Sequence, residues 1–141
     1  MNAIASLLAR LGIDRSVGSR GERAAAGHLR RHGYRILARN LRNKLGEIDI
    51  LAEAPDGRTI VVVEVKSSAV RPGDDGRSAN PPPEVHVNRA KQRKLVSLAC
   101  QTARRNRLAD RPIRFDVIGV ELPTKGRPTI RHHVNAFESH V

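Results

Sequence analysis

Apolar and polar positions along this chain change period several times, and each change marks an element. Ala25, Ala26 and Leu29 recur at helical spacing, with Glu22 on the same face, which predicts an amphipathic helix. Ser19 is placed to cap it, Glu22 completes a capping box, and Gly33 is placed to end it. Residues 34–40, 46–53 and 59–66 then read as three strands, the third rich in β-branched Val and Ile. Asn88 is placed to cap a second helix running to about residue 107, with Lys91, Leu95, Leu98 and Thr102 along one face. Residues 113–122 form a fourth strand, and a short fifth follows near Thr129 and Ile130.

Between 67 and 87 the pattern lapses. That stretch holds Gly, Asp, Ser and three successive prolines, and it reads as a long mobile loop. Residues 1–17 read as a leading segment. The apolar stretch at the start has no basic region before it, unlike a signal peptide. At 141 residues the chain is expected to be one domain, large enough for a core without disulfides. The order of elements predicts an α/β fold with a mixed sheet flanked by helices.

Alternation along the second and third strands suggests which side chains meet. Ile48, Ile50 and Ala52 are expected on one face with Val61, Val63 and Val65. Asp49 then falls on the face of Glu64 and Lys66. A turn centred between Asp56 and Gly57 sets Asp49 opposite Glu64, with Cβ atoms about 5 Å apart, and Glu47 opposite Lys66. A three-residue loop pairing Ala54 with Arg58 is the competing register. It would place Glu64 beside Ile48 and mix charges into both faces, because a one-residue slip flips every side chain.

Composition narrows the function classes. The chain carries 26 Lys and Arg against 14 Asp and Glu, a net charge of +12. An excess this large on one small domain is the electrostatic footprint of a polyanion partner, here nucleic acid. Aromatics are 2% of the residues, which argues against base stacking and for backbone-phosphate contact by Arg and Lys. One cysteine allows no internal disulfide and fits a cytoplasmic setting. No apolar run reaches membrane-spanning length, so no membrane partner is expected.

Asp49 and the Glu64-Val65-Lys66 triplet resemble the PD-(D/E)XK nuclease superfamily, whose signature is an acid on one strand and E-x-K on the next. More narrowly, the chain is similar to the YraN family of small bacterial proteins, which resemble Holliday-junction resolvases. The matching segments keep the family's order: Gly21-Glu22, Gly33-Tyr34-Arg35-Ile36-Leu37, Asn40-Leu41-Arg42, Gly46-Glu47-Ile48-Asp49-Ile50, Val62 to Lys66, Lys91-Gln92 and Arg114-Phe115-Asp116-Val117. One departure is the Ser67-Ser68 and Pro/Gly stretch, which stands where the family has a basic residue and a Phe-Gly-Pro-like segment.

The resemblance implies a restriction-endonuclease-like core, a central mixed β-sheet flanked by α-helices. It implies Mg²⁺ or Mn²⁺ as cofactor and DNA as substrate. Asp49 and Glu64 would be the metal ligands, with the Val65 carbonyl beside them. Lys66 would orient the attacking water and stabilise the transition state, and Glu22 would reach a second metal from the first helix. Lys91, Arg42 and Lys44 are the expected nucleic-acid contacts. Resolvase-like folds often work as dimers, so a homodimer is among the assemblies the resemblance allows. The leading expectation is a metal-dependent endonuclease on branched DNA in repair or recombination. The alternative is a non-catalytic nucleic-acid-binding module that keeps the nuclease fold. Cys100 is expected in the core, Asp116 in a structural role, and the adjacent His132 and His133 outside any ligand set.

Overall fold

Helix α1 (Arg20–Arg31) forms where the sequence offers a stripe of small residues: Gly21, Ala25, Ala26 and Leu29 are buried. Small side chains let the helix lie close to the sheet, and Leu29 anchors its far end. The helix stops at Gly33, whose φ of +85° is open to glycine at no steric cost. There the Gly33 and Tyr34 amides donate back to the carbonyls of Arg30 and Leu29 at 3.1 and 3.0 Å. This computed structural model describes residues 20–44, 46–69, 88–105 and 110–137. The leading segment, the Ser19 cap and loop residues 70–87 lie outside them.

Five strands follow in one sheet, in chain order: β1 (Arg35–Asn43), β2 (Gly46–Glu53), β3 (Ile60–Ala69), β4 (Ile113–Leu122) and β5 (Thr129–Phe137). β3 and β4 run parallel, and the other neighbours run antiparallel. A parallel pair needs a crossover, and helix α2 (Arg89–Arg105) lies within it. The result is the mixed sheet flanked by helices that the sequence predicted. Asn88 caps α2, its Oδ1 accepting from the Lys91 amide at 2.8 Å.

Both faces of the sheet are buried. Under α1 lie Ile50, Ala52, Val61, Val63, Ile118 and Val120 with Ala25, Ala26 and Leu29. Under α2 lie Leu51, Ile60, Val62 and Phe115 with Leu95, Val96, Leu98 and Ala99. The run Ile60 to Val63 is therefore apolar at every position, as a strand covered on both sides must be.

The β2–β3 register is the one centred between Asp56 and Gly57, with Ile50 opposite Val63 and Glu53 opposite Ile60. The Ala54 amide donates to Thr59 O at 2.9 Å, which closes a four-residue loop. Asp56 sets that loop by accepting from the Arg58 and Thr59 amides, both at 2.8 Å. The competing Ala54–Arg58 pairing does not form, because those amides are already taken by the carboxylate.

Four expectations need correction. Ile48 does not share a face with Ile50: it packs under α2 with Leu41, whereas Ile50 packs under α1. The change falls at Asp49, opposite a stretch of β1 where Asn40 adopts φ +52° and breaks the alternation. Ser67 to Ala69 are not loop but the end of β3, paired with Val120 to Leu122. The last strand runs nine residues rather than a short bridge. Cys100 is exposed, turned away from the buried face that carries Leu95, Val96, Leu98 and Ala99.

Candidate functional site

β2 and β3 pair up to Ile50 and Val63. Beyond that point a side chain takes over the link between them: the Val65 amide donates to Asp49 Oδ2 at 2.8 Å. This fixes the Asp49 carboxylate between the strands, with Glu64 on the neighbouring one. Both residues are buried, at 7% and 6% exposure, in a chain whose other described buried polar side chains are Asn40 and Asp116.

Four elements bring charge to one cavity of about 580 Å³ at this place. α1 contributes Glu22 from its first turn, and β2 contributes Glu47 and Asp49. β3 contributes Glu64, and α2 brings Lys91 and Lys94 with its capped N-terminus. The Lys91 ammonium is ion-paired to Glu64 Oε1. Helix polarity adds to the lysines here, because the N-terminal amides of α2 present partial positive charge. One side of the cavity is thus acidic and the other basic.

Electrostatics follow from that crowding. Burial, and then the neighbouring charge of Glu64, push the Asp49 carboxyl up to about 8, against the lowering effect of the Val65 amide. Burial alone would pull Lys91 down, but its bond and attraction to Glu64 outweigh it and raise the ammonium above its usual value. Carboxylates this close repel one another, and a cation relieves the repulsion.

The donor set fits a hard cation. Glu22, Glu47 and Asp49 each offer a carboxylate oxygen, and these oxygens lie within 4.8 Å of one another. Ligands held at about 2.1 Å from a Mg²⁺-sized ion lie at most about 4.2 Å apart, a gap that modest side-chain rotation closes. All-oxygen donors suit Mg²⁺, Mn²⁺ or Ca²⁺ and not a softer metal.

The sequence-derived residues are placed as follows. Asp49, Glu64 and Glu22 meet at the cavity, and Lys91 joins them through Glu64. Lys66 is half-buried two residues further along β3, beside Gly119, and does not line the cavity. Arg42 and Lys44 are exposed at the β1–β2 end, Arg42 3.4 Å from Glu47. Lys94 was not singled out by sequence, although its spacing of three from Lys91 puts both on one side of the helix. Arg39 keeps Nε and Nη2 buried without a hydrogen-bond partner among the described residues.

A second polar cluster sits on the α1 side of the sheet, built around Asp116. Its side chain is fully buried and accepts from Arg114 Nε and Nη2 at 2.9 and 2.8 Å. It also meets His132 Nε2 at 2.7 Å and accepts from the Asn135 amide at 2.9 Å. Burial would raise this carboxyl; the bonds from His132, Arg114 and Asn135 outweigh it and hold it below the usual range. Arg114 also donates to Tyr34 Oη at 2.7 Å. His132 entered no ligand set from sequence, because it and its neighbour His133 face opposite ways on a strand; its partner across the fold, His28, lies 104 residues away.

A mixed five-stranded sheet with helices on both faces, and a carboxylate-lined cavity where two strands part, defines an α/β domain of the restriction-endonuclease-like kind. The chain belongs to the family described as Uncharacterised protein family UPF0102, the YraN-like family its motifs pointed to, whose profile matches residues 21–120. It is similar to UPF0102 proteins of Pelobacter propionicus (46% identical, over 89% of this chain and 84% of that one) and Geobacter metallireducens (42%, over 89% and 94%). It is also similar to that of Symbiobacterium thermophilum (43%, over 90% and 100%). Among solved structures it is matched to Pyrococcus furiosus SfsA in complex with Ca²⁺, at 18% identity and a TM-score of 0.34. That match covers 79% of this chain, which spans 59% of the SfsA chain. Among the described residues, no helix is long and apolar enough to cross a membrane.

Proposed function

We propose that the protein is a metal-dependent endonuclease that hydrolyses phosphodiester bonds in DNA, branched DNA among its candidate substrates. The observation that carries the reading is the Asp49–Glu64 pair at the parting of β2 and β3, beside Glu22 and Glu47 and facing the lysines of α2. The net charge of +12 supports a polyanionic substrate. An acidic pocket in a basic chain makes chemical sense when the acids hold a cation and the surrounding surface holds phosphates.

In this reading Asp49 and Glu64 hold a Mg²⁺ or Mn²⁺ ion, and Glu22 and Glu47 are placed to complete its shell or to take a second ion. A cation bound there supplies a water of lowered pKa and neutralises charge on the phosphoryl oxygens. The Val65 amide keeps Asp49 aimed between the strands. Lys66, on the side of β3 that alternation gives to Glu64, orients the attacking water and stabilises charge developing on the phosphoryl group. Lys91 balances Glu64 and, with Lys94, draws the substrate backbone toward the cavity. Arg42 and Lys44 extend that contact along the β1–β2 end.

The test is cleavage of labelled four-way junction, flap, single-stranded and linear duplex DNA with Mg²⁺ or Mn²⁺, with EDTA and a Glu64→Ala variant as controls. Metal-dependent cutting that the variant lacks is the expected result. Salt-dependent binding without cutting by either protein would move the reading to a non-catalytic nucleic-acid-binding module.

A further inference from the structure

The cluster on the far side of α1 has a geometry that the proposed nuclease chemistry does not use. His28 stands on the last turn of α1, and His32 lies four residues on, in the turn just past the helix end. Their rings lie 4.2 Å apart, centroid to centroid. From β5, His132 turns its Nδ1 to within 3.3 Å of His28 Nε2. His28 therefore stands between two other imidazoles at a partly exposed place, with a ring nitrogen near His132 and its ring face near His32.

The proton positions are set by what surrounds the rings. His132 Nε2 faces the Asp116 carboxylate, which only accepts, so that nitrogen carries the hydrogen. In its neutral form the His132 ring then presents a lone pair at Nδ1, toward His28. His32 Nδ1 meets the backbone carbonyl of His28 at 2.8 Å, so it too carries the hydrogen and leaves the lone pair on Nε2. A carboxylate behind one imidazole, fixing its tautomer and raising its basicity, is the outer-shell arrangement of histidine metal sites. Asp116 is itself pinned by Arg114 and the Asn135 amide, so it cannot turn away.

The spacing fits as well. Two nitrogens bound at about 2.05 Å to a tetrahedral ion lie about 3.3 Å apart, the separation found between His28 Nε2 and His132 Nδ1.

We infer that His28 Nε2 and His132 Nδ1 form a second metal site, for a borderline transition-metal ion such as Zn²⁺, Co²⁺ or Ni²⁺, with His32 Nε2 as third ligand and water as fourth. His32 joins by rotating its side chain and giving up its exposed bond to the His28 carbonyl. Imidazole donors select these ions, whereas the carboxylate cavity selects Mg²⁺ or Mn²⁺. The two sites therefore sort metals by chemistry. A metal here would tie the end of α1 to β5 and would act on stability rather than on phosphodiester hydrolysis. The inference is independent of the nuclease reading.

The experiment is calorimetric titration of the untagged, metal-free full chain with Zn²⁺, together with the visible spectrum of the Co²⁺ form and thermal melts. The variants are His28→Ala, His132→Ala and the exposed His32→Ala, with Asp49→Asn as a control at the carboxylate cavity. Expected is one Zn²⁺ per chain, a raised Tm, a tetrahedral Co²⁺ spectrum, and at least a tenfold loss of affinity in His28→Ala and His132→Ala. His32→Ala is expected to lose less, and Asp49→Asn to bind as the parent does. Circular dichroism of each variant separates lost binding from lost folding, and His32→Ala gives the surface variant least exposed to that problem. No Zn²⁺ binding by the parent chain, or binding lost in Asp49→Asn and kept in folded His28→Ala, would overturn the inference. So would a 3.3 Å contact that proves to be only a hydrogen bond, with Zn²⁺ leaving the Tm unchanged.

Discussion

The Val65 amide donates to Asp49 Oδ2 across 2.8 Å at the point where β2 and β3 stop pairing. That bond does two things at once. It replaces a ladder contact, so the strands part without leaving the amide unsatisfied, and it aims a carboxylate into the gap they open. Glu64, one residue earlier on β3, then shares the gap with Asp49. Fold and site are thus made by the same residues.

The first concerns pH. Burial and the neighbouring charge of Glu64 push the folded-state carboxyl of Asp49 up to about 8, well above its ordinary value of 3.8. The native protein therefore holds a proton that the unfolded chain has released across that interval, and stability should fall as pH rises from about 4 to 8. Asp49→Asn keeps an oxygen for the Val65 amide and removes the charge. At pH 5, only about one unit above the unfolded value, the gap between variant and parent should be small. At pH 9 it should be more stable, by of the order of 2 kcal/mol, less than the full linkage value because Glu64 shares the titration. Urea melts of both proteins at the two pH values measure this. An equal gap at both would mean that Asp49 is ionised throughout. Added Mg²⁺ should stabilise the parent more at pH 8 than at pH 5, because a protonated carboxyl is a poor ligand.

A second prediction separates the two lysines near Glu64. Lys66→Ala should lower kcat about 10²–10³-fold with KM within a few fold, the signature of a contact made in the transition state. Lys91→Met should chiefly weaken DNA binding and raise KM. It should also strengthen cation binding, since the ammonium no longer competes for Glu64. Steady-state kinetics on the preferred DNA, with metal titrations alongside, test both. If Lys91→Met behaves as Lys66→Ala should, the lysine from α2 is the one at the reaction centre.

Much of this was legible from short-range pattern. The helix ending at Gly33, the strand limits of β2 and β4, the Asn88 cap and the β2–β3 register all rest on interactions within a few residues, and the sequence states them directly. What it hid was produced by distant packing. The face change at Asp49 depends on the left-handed Asn40 of the neighbouring strand, which no alternation rule reveals. Cys100 reads as apolar but falls off the buried face of α2. Glu47 had a strand partner in view, yet its place near Glu22 comes from the way α1 lies on the sheet. His132 meets His28 across 104 residues, a contact that spacing cannot show.

The third prediction tests the basic surface. Arg42 and Lys44 are exposed at the end of the β1–β2 hairpin, near the acidic cavity. If each contacts a phosphate, Arg42→Ala and Lys44→Ala should each weaken DNA binding uniformly across sequences and lower the salt slope by about 1. Fluorescence anisotropy over a range of salt concentrations reads the slope. Because Arg42 lies 3.4 Å from Glu47, its variant also frees an acid beside the cavity. Lys44→Ala is therefore the cleaner of the two, and an unchanged slope there would remove this edge from the DNA path.

The last prediction concerns Asp116, whose fully buried carboxylate is bonded by Arg114, His132 and the Asn135 amide. An uncompensated guanidinium is left behind when the carboxylate is neutralised, and breaking one side of a buried pair is costly. Asp116→Asn should destabilise the protein at pH 7 by of the order of 3 kcal/mol, a fall in Tm of roughly 10 °C for a chain of this size. The sign with pH is opposite to that at Asp49. The folded-state pKa of Asp116 is depressed, so its contribution is full above the unfolded value near 4 and is lost as pH falls through the folded one. The gap between parent and variant should therefore be widest near neutrality and close in acid. Denaturant melts at pH 7 and pH 3 provide the comparison. A gap that persisted undiminished at pH 3 would mean that shape, and not charge, is what Asp116 contributes between α1 and β5.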